Sequence, residues 1–124
     1  MAPAATYTVQ EAHRQSTQTS IADIAGFLEE TLGRSLTAHI ADVDPRTVGR
    51  WVKGENAPQR DQEERLRVAY HIFLLLQNED SPHTVRAWFI GLNPQLGDMA
   101  PAEALHKGKL KKTLTAARSF ALGG

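Results

Sequence analysis

Basic side chains recur at helical spacing between residues 46 and 53. Arg46 and Arg50 are four residues apart and Lys53 follows three residues later, so all three lie on one face of a helix. Thr47 stands beside them and can add a hydrogen bond at the edge of that face. Arginine pairs with the edge of guanine through two hydrogen bonds, and any of these side chains can hold a phosphate. The pattern predicts a helix that contacts DNA; the alternative is an ordinary amphipathic helix with solvated arginines.

The neighbouring residues predict the elements that position this basic face. A short helix capped by Ser35 is expected up to residue 41, and residues 42–44 form a turn. Asp44 followed by Pro45 is a typical helix start, with an N-cap aspartate and a proline at the first helical position. Two short helices around a three-residue turn are typical of a helix-turn-helix, whose second helix enters the major groove of DNA. The opposite, apolar face of this second helix carries Val48, Trp51 and Val52.

Charge and composition restrict how the chain can bind nucleic acid. The 14 basic and 14 acidic residues give a formal net charge of zero, so affinity for DNA must come from a local patch. Residues 34–60 contain five basic and three acidic side chains, a local charge of +2. The chain has no cysteine, which excludes disulfides and thiolate metal sites and suits a reducing cytoplasm.

The rest of the chain is also predicted to be helical. Apolar periodicity with start and stop signals predicts helices over residues 21–32, 61–78, 82–90, 101–107 and 110–122. The second half of helix 61–78 is apolar nearly all the way round, so it must be covered on more than one side. We expect a second copy of the chain to provide that cover, which predicts a homodimer.

The predicted fold is therefore all-α, with two modules in sequence. A helix-turn-helix module is expected over residues 20–60 and a small helical module over residues 61–124. Residues 1–19 are mostly polar, rich in alanine, threonine and glutamine, and are expected to form a flexible tail with at most a turn near residues 9–13. Neither a signal pattern nor an apolar run long enough to span a bilayer is present. A cytoplasmic protein is expected.

Two segments of the second module are candidate interaction sites. The turn dipeptides Asn93-Pro94 and Gly97-Asp98 restrict the loop between helices, and Leu92, Leu96 and Met99 would give it apolar anchors. An interface and a purely structural turn both remain open for this loop. The segment from residue 107 to residue 124 has five basic residues and no acidic one, so it can reach an acidic or phosphate-lined pocket or be an ordinary solvated surface.

The predicted module over residues 20–60 resembles the Xre-like helix-turn-helix family. Asp42 stands where that family usually has glycine, and aspartate tolerates the left-handed backbone that the turn requires. Gly49 stands where serine or another polar residue is common, which removes one contact and weakens the helix by about 1 kcal/mol relative to alanine. Arg34 occupies the place of a glutamine that often contacts phosphate. The residues that match the family are Ala38, Val43, Thr47, Val48, Arg50 and Trp51.

The second module resembles the partner-binding part of Xre/MbcA/ParS-type antitoxins. The resemblance rests on Trp88, on the string from Asn93 to Gly97, on the string from Pro101 to Leu105, and on Gly108. Both modules occur in this order over residues 20–124, a combination that is more specific than either half.

This resemblance implies an antitoxin that binds and occludes a RES-domain toxin, an enzyme that degrades NAD, and that represses its own operon. The implied DNA-binding residues are Arg34, Arg46, Thr47, Arg50 and Lys53. The implied toxin-binding residues are Asn93, Pro94, Leu96, Gly97 and Met99 in the loop, with Arg118, Ser119 and Phe120 as a plug near the toxin's active site. The alternatives are a stand-alone transcriptional regulator and an adaptor that no longer binds DNA.

The sequence offers little for catalysis or for cofactor binding. The five histidines are dispersed, with no pair at a spacing of four and no cysteine beside them, so no metal site is predicted. A phosphate-binding glycine loop and a nucleophile elbow are both lacking. We therefore expect no cofactor and no enzymatic activity.

Overall fold

The computed structural model describes residues 7–123, and within them the fold is all-α, as predicted. No helix of this part of the chain is both long and apolar enough to cross a membrane. A single turn of 3₁₀ helix, Pro94–Leu96, lies between the sixth and seventh α-helices. The α-helices are α1 (Val9–Gln18), α2 (Ile21–Leu32), α3 (Arg34–Ala41), α4 (Pro45–Val52), α5 (Arg60–Leu76), α6 (Pro82–Ile90), α7 (Pro101–His106) and α8 (Leu110–Ala121).

Side-chain caps fix where several helices begin. The Ser20 hydroxyl accepts a hydrogen bond from the backbone N–H of Asp23 at 3.2 Å, and Ser81 caps α6 in the same way. These bonds satisfy N–H groups that have no partner inside the helix. The predicted starts of α2 and α6 are therefore confirmed.

Two helices begin earlier than predicted, and their N-caps lie two residues before the predicted caps Ser35 and Asp61. Helix α3 begins at Arg34 with Gly33 as its N-cap, not after Ser35. Helix α5 begins at Arg60, and the side-chain oxygen of Gln62 accepts from the N–H of Gln59 at 2.9 Å. Asp61 lies inside the first turn, where its negative charge is favoured by the helix dipole.

Helix α5 is the centre of the molecule. Every residue from His71 to Leu76 is buried, and helices α1, α2, α3, α7 and α8 all contact α5. The apolar surface that predicted a homodimer is thus covered within one chain. The pattern correctly predicted cover on more than one side, but the inference that a second copy provides it is wrong.

Residues 9–18 form a helix and are no flexible tail, which corrects the sequence prediction for this segment; residues 1–6 lie outside the described residues. The Thr8 hydroxyl accepts from the N–H of Glu11 at 3.0 Å, and the Glu11 carboxylate accepts from the N–H of Thr8 at 3.2 Å. This reciprocal pair is a capping box. Ala12 is fully buried against Leu74 and Leu75 of α5.

Hydrogen bonds from α5 and from the turn that follows it hold both ends of the α1 segment. The guanidinium of Arg67 donates to the backbone carbonyls of Ser16 and Thr19, both at 2.8 Å. The side-chain amide of Asn78 bonds both backbone groups of Tyr7, at 2.7 and 2.6 Å. These long-range bonds are the reason that a polar ten-residue segment is ordered.

One hydrophobic core joins the two predicted modules. It extends from Ile24 in α2 through Trp51 in α4 and Phe73 in α5 to Leu105 in α7 and Ala117 in α8. Residues 20–60 and 61–124 therefore do not have separate cores.

His71 is a buried titratable group in this core. Its side chain is 2% exposed and its Nε2 has no hydrogen-bond partner. Burial, together with the charge of Arg118 and the proximity of His13, lowers the pKa of His71 from 6.5 to about 4. The folded state therefore requires a neutral imidazole, whereas the unfolded chain takes up a proton below pH 6.5.

We expect His71→Leu to reduce the loss of stability in mild acid. A histidine with a lowered folded-state pKa contributes stability above pH 6.5 that is lost as the pH falls towards 4. Between pH 7 and pH 5, wild type should lose about 2 kcal/mol more unfolding free energy than the variant does. Urea unfolding at both pH values measures the difference. His83→Leu, at an exposed histidine, is the control and should behave as wild type.

Candidate functional site

Helix α4 presents its basic face to solvent because its other face is buried. Val48 is fully buried and Trp51 is nearly so, and α4 packs against α2 and α3. Arg46 and Arg50, one helical turn apart, are exposed. Lys53 is exposed at the residue that ends the helix, and Thr47 is half-buried.

Arg46 is tied to the start of its own helix. The Asp44 carboxylate accepts from the backbone N–H of Arg46 at 2.8 Å and from its Nε at 3.1 Å. These hydrogen bonds hold the pKa of the Asp44 carboxyl below its usual range and raise the pKa of the Arg46 guanidinium. Arg50 makes no ion pair within the described residues. Of the two arginines, Arg50 is the one whose charge is freely available to a phosphate or a base.

Arg34 reaches across from α3 onto α4. Its Nε donates to the Glu29 carboxylate at 2.7 Å, and its guanidinium lies over Gly49. A Cβ atom added to Gly49 would be 3.2 Å from the Arg34 Cζ, which is a tight contact. Gly49 therefore leaves room for Arg34 beside the basic face. The Arg34 guanidinium lies where the side chain of a polar residue at position 49 would otherwise be.

The turn between α3 and α4 depends on a left-handed residue. Asp42 has φ 61° and ψ 52°, and its N–H bonds the carbonyl of His39 at 3.1 Å. The next N–H, that of Val43, bonds the carbonyl of Ala38 at 3.0 Å. The predicted left-handed turn at Asp42 is confirmed, and this turn sets the direction in which α4 leaves α3.

We expect Asp42→Gly to be more stable than Asp42→Ala by about 1 kcal/mol, since a Cβ is unfavourable in the left-handed conformation. Both variants lose the same carboxylate, so their difference reports the backbone alone. Thermal or urea unfolding of the two variants measures it. Equal stabilities would contradict a left-handed residue at position 42.

The loop after α6 is closed by its own hydrogen bonds. The Asn93 side chain accepts from the N–H of Gln95 at 2.9 Å, and the Asn93 carbonyl accepts from the N–H of Asp98 at 2.9 Å. An isolated antiparallel bridge joins Asn93 to Met99. Gly97 and Asp98 both have φ 65°, which completes the reversal. The loop therefore has a defined shape before any partner binds.

An apolar groove lies between this loop and α8. Its volume is about 320 Å³, and Leu92 beside it is 79% exposed. The Trp88 and Phe120 rings have their centroids 6.2 Å apart. The groove brings together three predicted toxin-binding residues, Asn93, Pro94 and Phe120, while Leu96, Gly97 and Met99 lie in the same loop. Its lining residues are Trp88, Leu92, Asn93, Pro94, Gln95, Ala116 and Phe120.

Arg118 does not join this groove. Its charge acts on His71 of α5, whereas Phe120, two residues later, lies near Trp88 of α6. Residues two apart on a helix differ by about 200° in direction, so Arg118 and Phe120 cannot serve one contact surface. Ser119 is half-buried between them.

Exposed apolar residues at the ends of α6 and α8 were not predicted from the sequence. Ile90 and Leu122 are 49% and 83% exposed, and Phe120 and Leu122 line a second hollow against Leu75 and Leu76. Leu92, in contrast, was expected as an apolar anchor of the loop; an apolar residue that follows a helix-ending glycine has no helix face on which to be buried.

Histidines that are distant in sequence meet between α3 and α7. The His39 and His106 rings are stacked, with centroids 4.2 Å apart and planes 8° apart. His39 Nε2 lies 2.6 Å from a carboxylate oxygen of Glu103, and this hydrogen bond lowers the pKa of the Glu103 carboxyl. The three side chains are grouped closely enough to hold a metal ion. No metal site was predicted because the histidines are dispersed in the sequence. That reason does not hold for His39 and His106, which are neighbours in the fold.

The chain matches no protein-family model, no curated protein and no solved structure. Any assignment of function therefore rests on the motifs and on two surfaces. One is the basic face of α3 and α4, formed by Arg34, Arg46, Arg50 and Lys53, and the other is the apolar groove between the loop after α6 and α8.

Proposed function

We propose that this chain is an antitoxin without enzymatic activity of its own. In this proposal the apolar groove binds and occludes a RES-domain toxin, and the basic face of α3 and α4, acting as a helix-turn-helix, binds operator DNA. The two motif strings in the sequence support the family, and the observation that carries the proposal is the exposed apolar surface beside a preformed loop.

The groove has the properties of a protein-binding surface. Five large apolar side chains are exposed within the described residues, and two of them, Leu92 at 79% and Phe120 at 43%, line this groove together with Asn93 and Pro94. Grouped exposed apolar residues beside polar ones are typical of interaction sites. Because hydrogen bonds already fix the loop, little conformational entropy is lost on binding.

The basic face has properties that suit DNA. Arg34, Arg50 and Lys53 are exposed, and Trp51 anchors α4 in the core so that the helix keeps a fixed direction. The Asp44 carboxylate is bonded to Arg46, which partly offsets the positive charge at the start of α4. We therefore expect Arg50 to contribute most and Arg46 less, with modest affinity that depends strongly on salt.

A homodimer belongs to the proposal because a two-fold operator binds two copies of the reading helix. The apolar second half of α5 is covered within one chain, so we place the interface elsewhere. The exposed apolar residues near the ends of α6 and α8 are the remaining candidates, so a dimer and a toxin would use neighbouring surfaces.

We expect the groove to capture a toxin in the native cell. Tagged wild type should bring down, near one to one, a RES-domain protein that depletes cellular NAD when expressed alone. Leu92→Asp should reduce this capture at least tenfold, because a charge would be buried at the contact. Val9→Asp makes the same change at an exposed apolar residue on α1 and should capture normally. Equal capture by both variants would refute binding through the groove.

We expect Arg50→Ala to weaken binding to the DNA upstream of the chain's own coding sequence about tenfold, the result of losing a base or phosphate contact. Arg46→Ala should have a smaller effect. Arg14→Ala, at an exposed arginine on α1, is the control. Fluorescence anisotropy at several salt concentrations measures affinity and salt dependence.

DNA binding without any captured toxin would favour a stand-alone regulator, and toxin capture without DNA binding would favour an adaptor.

A further inference from the structure

We propose that His39, Glu103 and His106 form a binding site for one divalent first-row transition-metal ion, and Zn²⁺ is the ion that we expect. The proposal does not depend on DNA or toxin binding, and it concerns residues outside both surfaces described above.

Two neighbouring helices bring the three side chains together. Glu103 and His106 are three residues apart on α7 and so share one face of that helix, while His39 projects from α3, which packs against α7. One ligand atom from each residue lies within 4.8 Å of the other two. Two imidazoles and one carboxylate are donors that select zinc and its neighbours over magnesium or calcium.

A backbone hydrogen bond prepares His106 for an ion. The Nδ1 atom of His106 lies 2.7 Å from the carbonyl oxygen of His39. A carbonyl can only accept, so Nδ1 carries the proton, and in the neutral ring Nε2 then has a free lone pair. Metal-binding histidines commonly donate their second nitrogen to a carbonyl or carboxylate in this way, which fixes both tautomer and orientation. The Asp42 carboxylate, 4.0 Å from the same Nδ1, adds negative charge near the site.

The site is open to ions from solution. The side chains of His39, Glu103 and His106 are 45%, 37% and 27% exposed, so an ion can enter without unfolding the core. Three protein ligands leave a fourth tetrahedral position for water.

Binding requires a small rearrangement of exposed groups. A metal ion lies in the plane of each imidazole that binds it, so one of the two stacked rings must turn. His39, the more exposed of the two, can turn when its hydrogen bond to Glu103 opens. The contact of 2.6 Å between His39 and Glu103 must widen to roughly 3.3 Å, the spacing of two ligands in tetrahedral zinc. The ion then takes the place of the proton between these two groups, and the His39 ring binds through Nε2 as the neutral tautomer with its proton on Nδ1.

A bound ion would fasten α3 to α7. His39 lies three residues before the left-handed turn at Asp42 that directs α4, so the ion would hold this turn against the second half of the chain. Because the ligands are positioned only in the folded state, binding should raise the thermal stability of the protein.

The test uses the full chain without a histidine tag, in metal-free buffer. Calorimetry with Zn²⁺ and absorption spectroscopy with Co²⁺ should show one ion bound per chain and a rise in Tm. His106→Ala and Glu103→Gln should each lower affinity at least tenfold. His83→Ala removes an exposed histidine outside the cluster and should bind as wild type. Because the exchanged side chains are partly exposed, both of these variants should remain folded, and circular dichroism checks this.

Nuclear magnetic resonance of the imidazole groups separates this site from adventitious binding. Zn²⁺ should shift the resonances of His39 and His106 and leave those of His83 unchanged. No binding at sub-millimolar ion, or binding that both ligand variants retain, would overturn the proposal. Shifts confined to His13 and His71, the other close pair of rings, would also overturn it.

Discussion

The burial of α5 is the constraint on which the rest of the structure depends. A helix whose last six residues, His71 to Leu76, are all buried needs neighbours around most of its circumference. The edge-to-face contact of Phe73 with Phe27, at 5.1 Å between centroids, secures α2, and α1 and α8 close the remaining sides. The chain supplies this cover itself. The apolar residues exposed near the ends of α6 and α8 are therefore not needed to cover α5.

Local signals predicted the elements well and their assembly less well. Caps such as Ser20 and Ser81 act within a few residues, so the starts of α2 and α6 were predictable. Helix α1 was missed because its polar composition outweighed the Thr8 and Glu11 capping box, and because its order depends on Arg67, about fifty residues away. Periodicity showed that α5 is covered on several sides but could not show by what.

The same distinction applies to the candidate sites. The spacing of Arg46 and Arg50 was enough to predict an exposed basic face, because helix geometry alone decides it. The placement of Arg34 over Gly49 was not predictable, since it depends on how α3 crosses α4. The meeting of His39 with His106 likewise joins residues more than sixty positions apart, which no rule about histidine spacing can detect.

Under the proposed function, the shared core limits how a partner bound in the groove can influence DNA binding. Helix α7 packs against both α3 and α6, so the groove and the basic face belong to one packed unit without a flexible linker between them. Coupling between two sites requires a partner to favour one of two arrangements, and within residues 7–123 the contacts describe only one. Under the proposed function, a toxin would therefore change repression chiefly by altering how many copies of the chain are held together. Two linked copies bind a two-fold operator far more tightly than one does, because the second contact becomes intramolecular.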